Sequence, residues 1–181
     1  MENSNVSKLN LWCWFDIKPG YVNVDGVSWE WIDEVFDFEK TPYPFKDNTF
    51  DEVYCSMVME HIHNLPQMID EIVRICKNGA IIQIIVPYQS SPNLRWDITH
   101  IRGFNLNSFN HYHENSIILK NGKFNVERQR IHFLSNETFL KSDAINLIPD
   151  FFINLFPKIY ERFFSYIIPS SNIHYELKVY K

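Results

Sequence analysis

The sequence predicts an α/β protein built on a sheet with a parallel portion, and three observations carry that prediction. Short runs of strand length recur early, at residues 9–15, 21–25, 34–38 and 50–56. An amphipathic stretch follows at 64–77, and after it comes a nearly uniform apolar, β-branched run at 80–86. A run of that kind suits a central strand covered on both faces, and strands alternating with a helix indicate a sheet with parallel pairing.

The elements follow in order. Leu9-Asn10-Leu11-Trp12-Cys13-Trp14-Phe15 is bounded by Asp16 and by Lys18-Pro19-Gly20, the flanking of a buried strand. Tyr21-Val22-Asn23-Val24-Asp25 is a second strand ending on an acid. Only about five residues link the two, so the first crossover helix is expected to be shortened or absent. Glu34-Val35-Phe36-Asp37-Phe38 is a third strand, Tyr43-Pro44-Phe45-Lys46-Asp47-Asn48 a turn, and Phe50 to Ser56 a fourth strand. The clearest helix starts near Asn64-Leu65-Pro66, where Leu65, Met68, Ile69, Ile72, Ile75 and Cys76 form one stripe and Gly79 is the expected C-cap. Ala80 to Val86 is the central strand, ended by Pro87.

Residues 88–121 are polar, aromatic and His-rich with weak periodicity, which predicts long loops and short helices over one rim of the sheet, the place where function concentrates. Residues 124–134 read as a strand and 173–180 as an alternating final strand. Between them, 151–168 reads as a helix with a stripe at Phe152, Leu155, Phe156, Ile159, Phe163 and Ile167. That stripe is expected to pack in the core; a membrane-surface or partner-binding face is the rival reading, and next to an edge strand it could support a homodimer. With no repeats or linkers, residues 1–181 are expected to form a single domain.

Composition narrows the function. Seventeen Lys+Arg against 22 Asp+Glu leave a net charge of −5, which argues against nucleic acid or an anionic membrane as partner. The N-terminus has no basic, apolar leader, and the three cysteines, Cys13, Cys55 and Cys76, sit apart in apolar runs, so a cytoplasmic protein with buried thiols is expected. The apolar region from Ile145 to Ile168 is interrupted by Pro149, Asp150, Pro157, Lys158, Glu161 and Arg162 and is not expected to span a membrane. Glycine is scarce: 5 residues, where average usage would give about a dozen.

Several pieces share an order and spacing. They are Leu9-Asn10-Leu11, Pro19-Gly20-Tyr21-Val22-Asn23-Val24-Asp25, Pro44-Phe45-Lys46-Asp47-Asn48-Thr49-Phe50-Asp51-Glu52-Val53, Met59-Glu60-His61-Ile62 and Glu71-Ile72-Val73-Arg74-Ile75-Cys76-Lys77-Asn78-Gly79. To these is added Trp96-Asp97-Ile98-Thr99-His100-Ile101-Arg102-Gly103-Phe104. Over residues 9–113 the chain resembles the class I S-adenosylmethionine-dependent methyltransferases, in particular the small type 11-like domains. The resemblance implies a Rossmann-like, mostly parallel sheet closed by a C-terminal antiparallel hairpin. It also implies S-adenosylmethionine as cofactor and methyl transfer to an unidentified small-molecule or sugar-like acceptor.

Residue by residue, Asp25 at the edge of the second strand suits the ribose diol, or is a turn residue before Gly26. Asp37 and Phe38 are placed by the resemblance at the adenine, or are a strand end and a core ring; Ser56 joins the cofactor set. His61, over the expected acceptor site, is a candidate base or a packing residue. Asp97 and His100, with His111 and His113, line the acceptor pocket or a solvated loop. Arg74 and Lys77 read as a solvated helix face, and no metal site is expected, because His61 and His63 point apart on a helix and no ligand spacing supports one. In two places the chain departs from the family: its Gly-x-Gly cofactor turn is here Trp12-Cys13-Trp14, and Gly79-Ala80 replaces a common Gly-Gly. Two functions follow, a methyltransferase whose turn is re-routed around the indoles, or a non-catalytic binding module whose old pocket Trp12 and Trp14 fill.

Overall fold

The structure, a computed structural model, describes residues 7–13, 16–112, 122–134 and 143–181. Seven strands pair into one sheet: β1 (Lys8–Leu11), β2 (Val22–Asp25), β3 (Glu34–Val35), β4 (Phe50–Ser56), β5 (Cys76–Pro87), β6 (Lys123–His132) and β7 (Asn172–Tyr180). Their order is β3-β2-β1-β4-β5-β7-β6. The first five pair in parallel, while β7 runs antiparallel to both β5 and β6. The predicted mostly parallel sheet with a C-terminal antiparallel pair is therefore the observed one.

Among the described residues, the crossovers before β4 contain no helix, as the short β1–β2 link required, and α1 (Leu65–Ile75) joins β4 to β5. Asn64 caps α1 by accepting from the Gln67 amide, and Pro66 sits in its first turn, where no donor is lost. Leu65, Met68, Ile69 and Ile72 of α1 pack with Leu9, Leu11, Val53, Ile82 and Ile84 in the core. Beyond α1 on that face, Phe36, Phe38, Tyr43 and Phe45 form an aromatic layer in place of helices. The sheet row Asn10, Tyr54, Gln83 and Glu176 is polar, with Gln83 donating to Glu176 at 3.0 Å.

Three expectations are corrected. Gly79 does not cap α1, because Cys76 is already extended and pairs with Phe50; Gly79, at φ +82, lies inside β5 next to a register shift. Such a left-handed residue in an irregular strand is a glycine position. Arg74 is not a solvated face residue: its guanidinium bonds Glu71 and Asp47 and the carbonyls of Tyr43 and Phe45, which ties α1 to the turn before β4. Burial pushes the Glu71 carboxyl up, but the bonds from Arg74 and the Tyr43 amide outweigh it and hold it below its ordinary value.

The third correction concerns the C-terminal helix, which is broken. It consists of α3 (Asp143–Leu155), α4 (Pro157–Ile159) and a π-type turn at Tyr160–Phe164, while a short α2 (Asn93–Trp96) lies in the rim loop. The predicted core stripe faces solvent: Phe152, Leu155, Phe156, Ile159, Phe163 and Ile167 are each at least 51% exposed. The three cysteines are buried free thiols, as expected. No helix among the described residues is long and apolar enough to cross a membrane.

Candidate active site

The carboxyl ends of β1, β4 and β5 meet the end of β6 and the start of β7 at one rim of the sheet, and a cavity of about 880 Å³ opens there. Open α/β sheets bind ligands at this edge. The walls come from Trp12 after β1, Ser56 at the end of β4, Glu60 and His61 on the following turn, Asp97 and His100 on the rim loop, and His132 and His174 on the C-terminal strands. Trp12, Ser56, His61, Asp97 and His100 are thus brought together at one cavity. Trp14 and His113 lie outside the described residues, as does the side chain of His111.

Trp12 adopts φ +59, a left-handed conformation that glycine takes without cost and tryptophan does not. The backbone thus keeps a glycine-type turn while carrying an indole. The indole lines the cavity, parallel to the His61 ring (5.6 Å, 4°) and tilted on Phe38 at 5.5 Å.

A chain of hydrogen bonds fixes His61 from the other side. The Thr99 hydroxyl and amide both donate to Asp97 Oδ1, at 2.6 and 2.8 Å, and these bonds hold the Asp97 carboxyl below its ordinary value. An ionised carboxylate only accepts. With its hydrogen committed to Asp97, Thr99 Oγ1 can only accept from His61 Nδ1, 2.9 Å away. His61 therefore carries its proton on Nδ1 and leaves the Nε2 lone pair available. Burial, and after it the neighbouring His100, push the pKa of His61 below its ordinary value, so the ring is neutral near pH 7.

His100 packs edge-on to His61 at 4.6 Å, with its Nε2 3.9 Å from both Glu60 Oε1 and Asp97 Oδ2. Glu60 is fully buried. Glu60, His61 and His100 present ligand atoms within 4.8 Å of one another, which is the residue set of a divalent transition-metal site but looser than one. On the far wall Asp150, 2% exposed, holds His132 Nδ1 at 2.8 Å, and the His132 and His174 rings lie 4.1 Å apart. His174 is pushed down to about 4 by burial and by His132.

Residues 23–84 match the family model described as a methyltransferase domain. A 44-residue segment is 52% identical to an uncharacterized protein of Methanocaldococcus jannaschii, covering 24% of this chain; the chain spans 19% of that curated relative. Similar solved structures include an S-adenosylmethionine-dependent methyltransferase from Mesorhizobium loti (12% identity, 96% of this chain and 90% of that chain, TM-score 0.56). Another, from Archaeoglobus fulgidus, covers 96% of this chain and 86% of its own at 15% identity, with a TM-score of 0.58. The chain has the fold of the S-adenosylmethionine-dependent methyltransferases, and its residues 23–84 carry the match to the methyltransferase domain.

Against that fold, the other named residues stand apart from the cavity. Asp25 ends β2, is buried and accepts from the Val27 amide at 3.0 Å. Asp37 is exposed and paired with Lys40 at 3.2 Å; hydrogen bonds from the Glu39 amide and then Lys40 lower its pKa. Phe38 is buried between Trp12 and Phe36 and supports the indole from below. His63 turns away to Glu39. The sequence reading missed Glu60, Thr99, His132 and Asp150 as site residues. Glu60 directly precedes His61, and Asp97-x-Thr99 is the pattern of an Asx turn, so two signals were present. Nothing in the sequence links His132 to Asp150, which meet only when α3 docks on β6.

Proposed function

We propose that this methyltransferase domain transfers the methyl group of S-adenosylmethionine to a small acceptor bearing an ionisable hydroxyl or amine, with His61 as general base. The observation that carries this reading is the open cavity beside Trp12, with His61 held there as the Nδ1–H tautomer. About 880 Å³ lies within the range of small-molecule sites.

The lining suits the cofactor's cationic sulfonium. Glu60, Asp16 and Asp97 supply carboxylates, and Trp12 an aromatic face, both of which attract a cation. Bound S-adenosylmethionine supplies an electrophilic methyl group on sulfur. The chain's own work is to remove a proton from the attacking atom: His61 Nε2 takes it, and the imidazolium that forms is stabilised through Nδ1 by Thr99 and, behind it, Asp97. Thr99 is a positioning residue, and His100, backed by Glu60, borders the acceptor side of the base. Asp25 is proposed to hold the ribose diol at the neighbouring strand end.

Photocrosslinking with methyl-labelled S-adenosylmethionine, followed by peptide mapping, tests the placement. Label is expected on the peptides containing Trp12 or Ser56 and His61. Label confined to other peptides, or none at saturating cofactor, would refute it.

A further inference from the structure

The helix α3 turns its polar side inward. Asn146, Asp150 and Asn154, spaced four apart, face the C-terminal end of β6 and the two residues after it and satisfy backbone groups there. The amides of Leu134, Phe133 and Ile131 donate to them at 3.0, 2.8 and 2.8 Å, and the side-chain amides of Asn146 and Asn154 return bonds to the Leu134 and Ile131 carbonyls. This device covers the end of an edge strand that would otherwise be open to pairing. It also fixes what faces outward. Between residues 147 and 168, every large apolar side chain except Ile153 and Tyr160 is exposed, for example Phe151 at 60%, Phe163 at 61% and Ile167 at 74%. A helix on a watery surface does the opposite, and a continuous apolar layer of this extent marks an interaction surface.

Charge selects the occupant. The charged residues from 146 to 171 are Asp150, Lys158, Glu161 and Arg162. Both acids point inward: Asp150 to His132, and Glu161 to the Tyr88 hydroxyl and the Leu106 amide, at 3.1 and 3.0 Å. Both cations are exposed. The outer layer is therefore apolar and positive only, although the whole chain carries −5. The chain-wide charge, which argued against an anionic surface, does not describe this face. Aliphatic and aromatic side chains with outward Lys and Arg are the composition of a helix lying in the plane of a bilayer interface.

We propose that the α3–α4 layer seats the protein on an anionic phospholipid surface. Phe151, Phe152, Phe156, Phe163 and Ile167 enter the acyl boundary, and Lys158 and Arg162 meet the headgroups. Asp150, which anchors α3, also holds His132 in the cavity wall, so the lipid-facing helix backs directly onto the site. This inference rests on the layer itself and is independent of the methyl-transfer reading.

Sedimentation of the full chain with vesicles of phosphatidylcholine plus phosphatidylglycerol, and with phosphatidylcholine alone, tests it. The protein is expected to pellet with the anionic vesicles. A Phe151→Asp/Phe163→Asp variant should bind at least about tenfold more weakly. A Lys158→Glu/Arg162→Glu variant should lose the preference for phosphatidylglycerol. All four side chains are exposed, so circular dichroism and the urea midpoint should match the parent and show that the variants fold. Failure of the parent protein to pellet with either vesicle would overturn the proposal. In that case, a dimer seen by light scattering and dissolved by the same Phe151→Asp/Phe163→Asp variant would assign the layer to a second copy of the chain.

Discussion

Replacing Thr99 with valine keeps the side chain's outline and removes its hydroxyl. Two bonds go with it, the 2.6 Å bond to Asp97 Oδ1 and the 2.9 Å bond to His61 Nδ1, while the 2.8 Å bond from the Thr99 amide to Asp97 remains. A hydrogen bond at a partly solvated site contributes about 1 kcal/mol net, which is about a fivefold change in an equilibrium. The tautomer ratio of His61 should therefore fall about fivefold in Thr99→Val and be retained in Thr99→Ser. Ring-nitrogen NMR of histidine-labelled protein, recorded above the His61 pKa, reads this ratio without any acceptor. The parent protein should show the Nδ1–H form in excess. An excess of Nε2–H in the parent, or an unchanged ratio in Thr99→Val, would refute the argument that Asp97 commits the Thr99 hydrogen and so sets His61 as a base.

Three further outcomes follow from the same geometry. His174, held down to about 4, resists protonation in the folded state while an unfolded histidine titrates near 6.5; stability is thus fully present above that value and is lost as pH falls from about 6.5 to 4, by at most about 3 kcal/mol. Urea unfolding across that window should show a flatter curve for His174→Gln than for the parent, and parallel curves would contradict the assignment. Arg74→Ala removes a half-buried pair with Glu71 and two carbonyl contacts, and should cost about 2–3 kcal/mol in urea titrations; a loss below about 0.5 kcal/mol would mean the α1 clamp is ornamental. In the Glu60, His61 and His100 cluster, His100 Nε2 stands 3.9 Å from Glu60 Oε1, whereas bonds of about 2.1 Å to a tetrahedral zinc ion need ligand separations near 3.5 Å, and metal analysis should find no stoichiometric zinc. An equimolar content lost in His100→Ala would make the cluster a metal centre instead of a base.

The parts of this molecule legible in the sequence were those with local causes. β4 runs from Phe50 to Ser56 as its pattern says, and α1 begins at its Asn64 cap. Among the described residues no helix lies between β1 and β2, in keeping with the short link expected there. What the sequence could not disclose depended on distant partners. Gly79 reads as a helix cap until Cys76 is seen to pair with Phe50. The stripe from Phe152 to Ile167 has the spacing of a core face, and only the contacts of Asn146, Asp150 and Asn154 with β6 reveal that the other side of the helix is the buried one. The candidate site divides in the same way. His61, Asp97 and His100 stood in recognisable local motifs, while the His132–Asp150 pair joins a strand to a helix across a stretch whose pattern says nothing of their meeting. Trp12 is the sharpest conflict: its positive φ is a conformation natural to glycine, and its indole lines the cavity beside His61.

Calorimetric titration of S-adenosylmethionine into the unaltered protein and into Trp12→Gly tests the central claim most directly. Binding near one equivalent at micromolar affinity by the unaltered protein is the predicted result, with Trp12 lining the cavity. No binding at millimolar cofactor, with binding gained in Trp12→Gly, would contradict it and show that the indole closes the site.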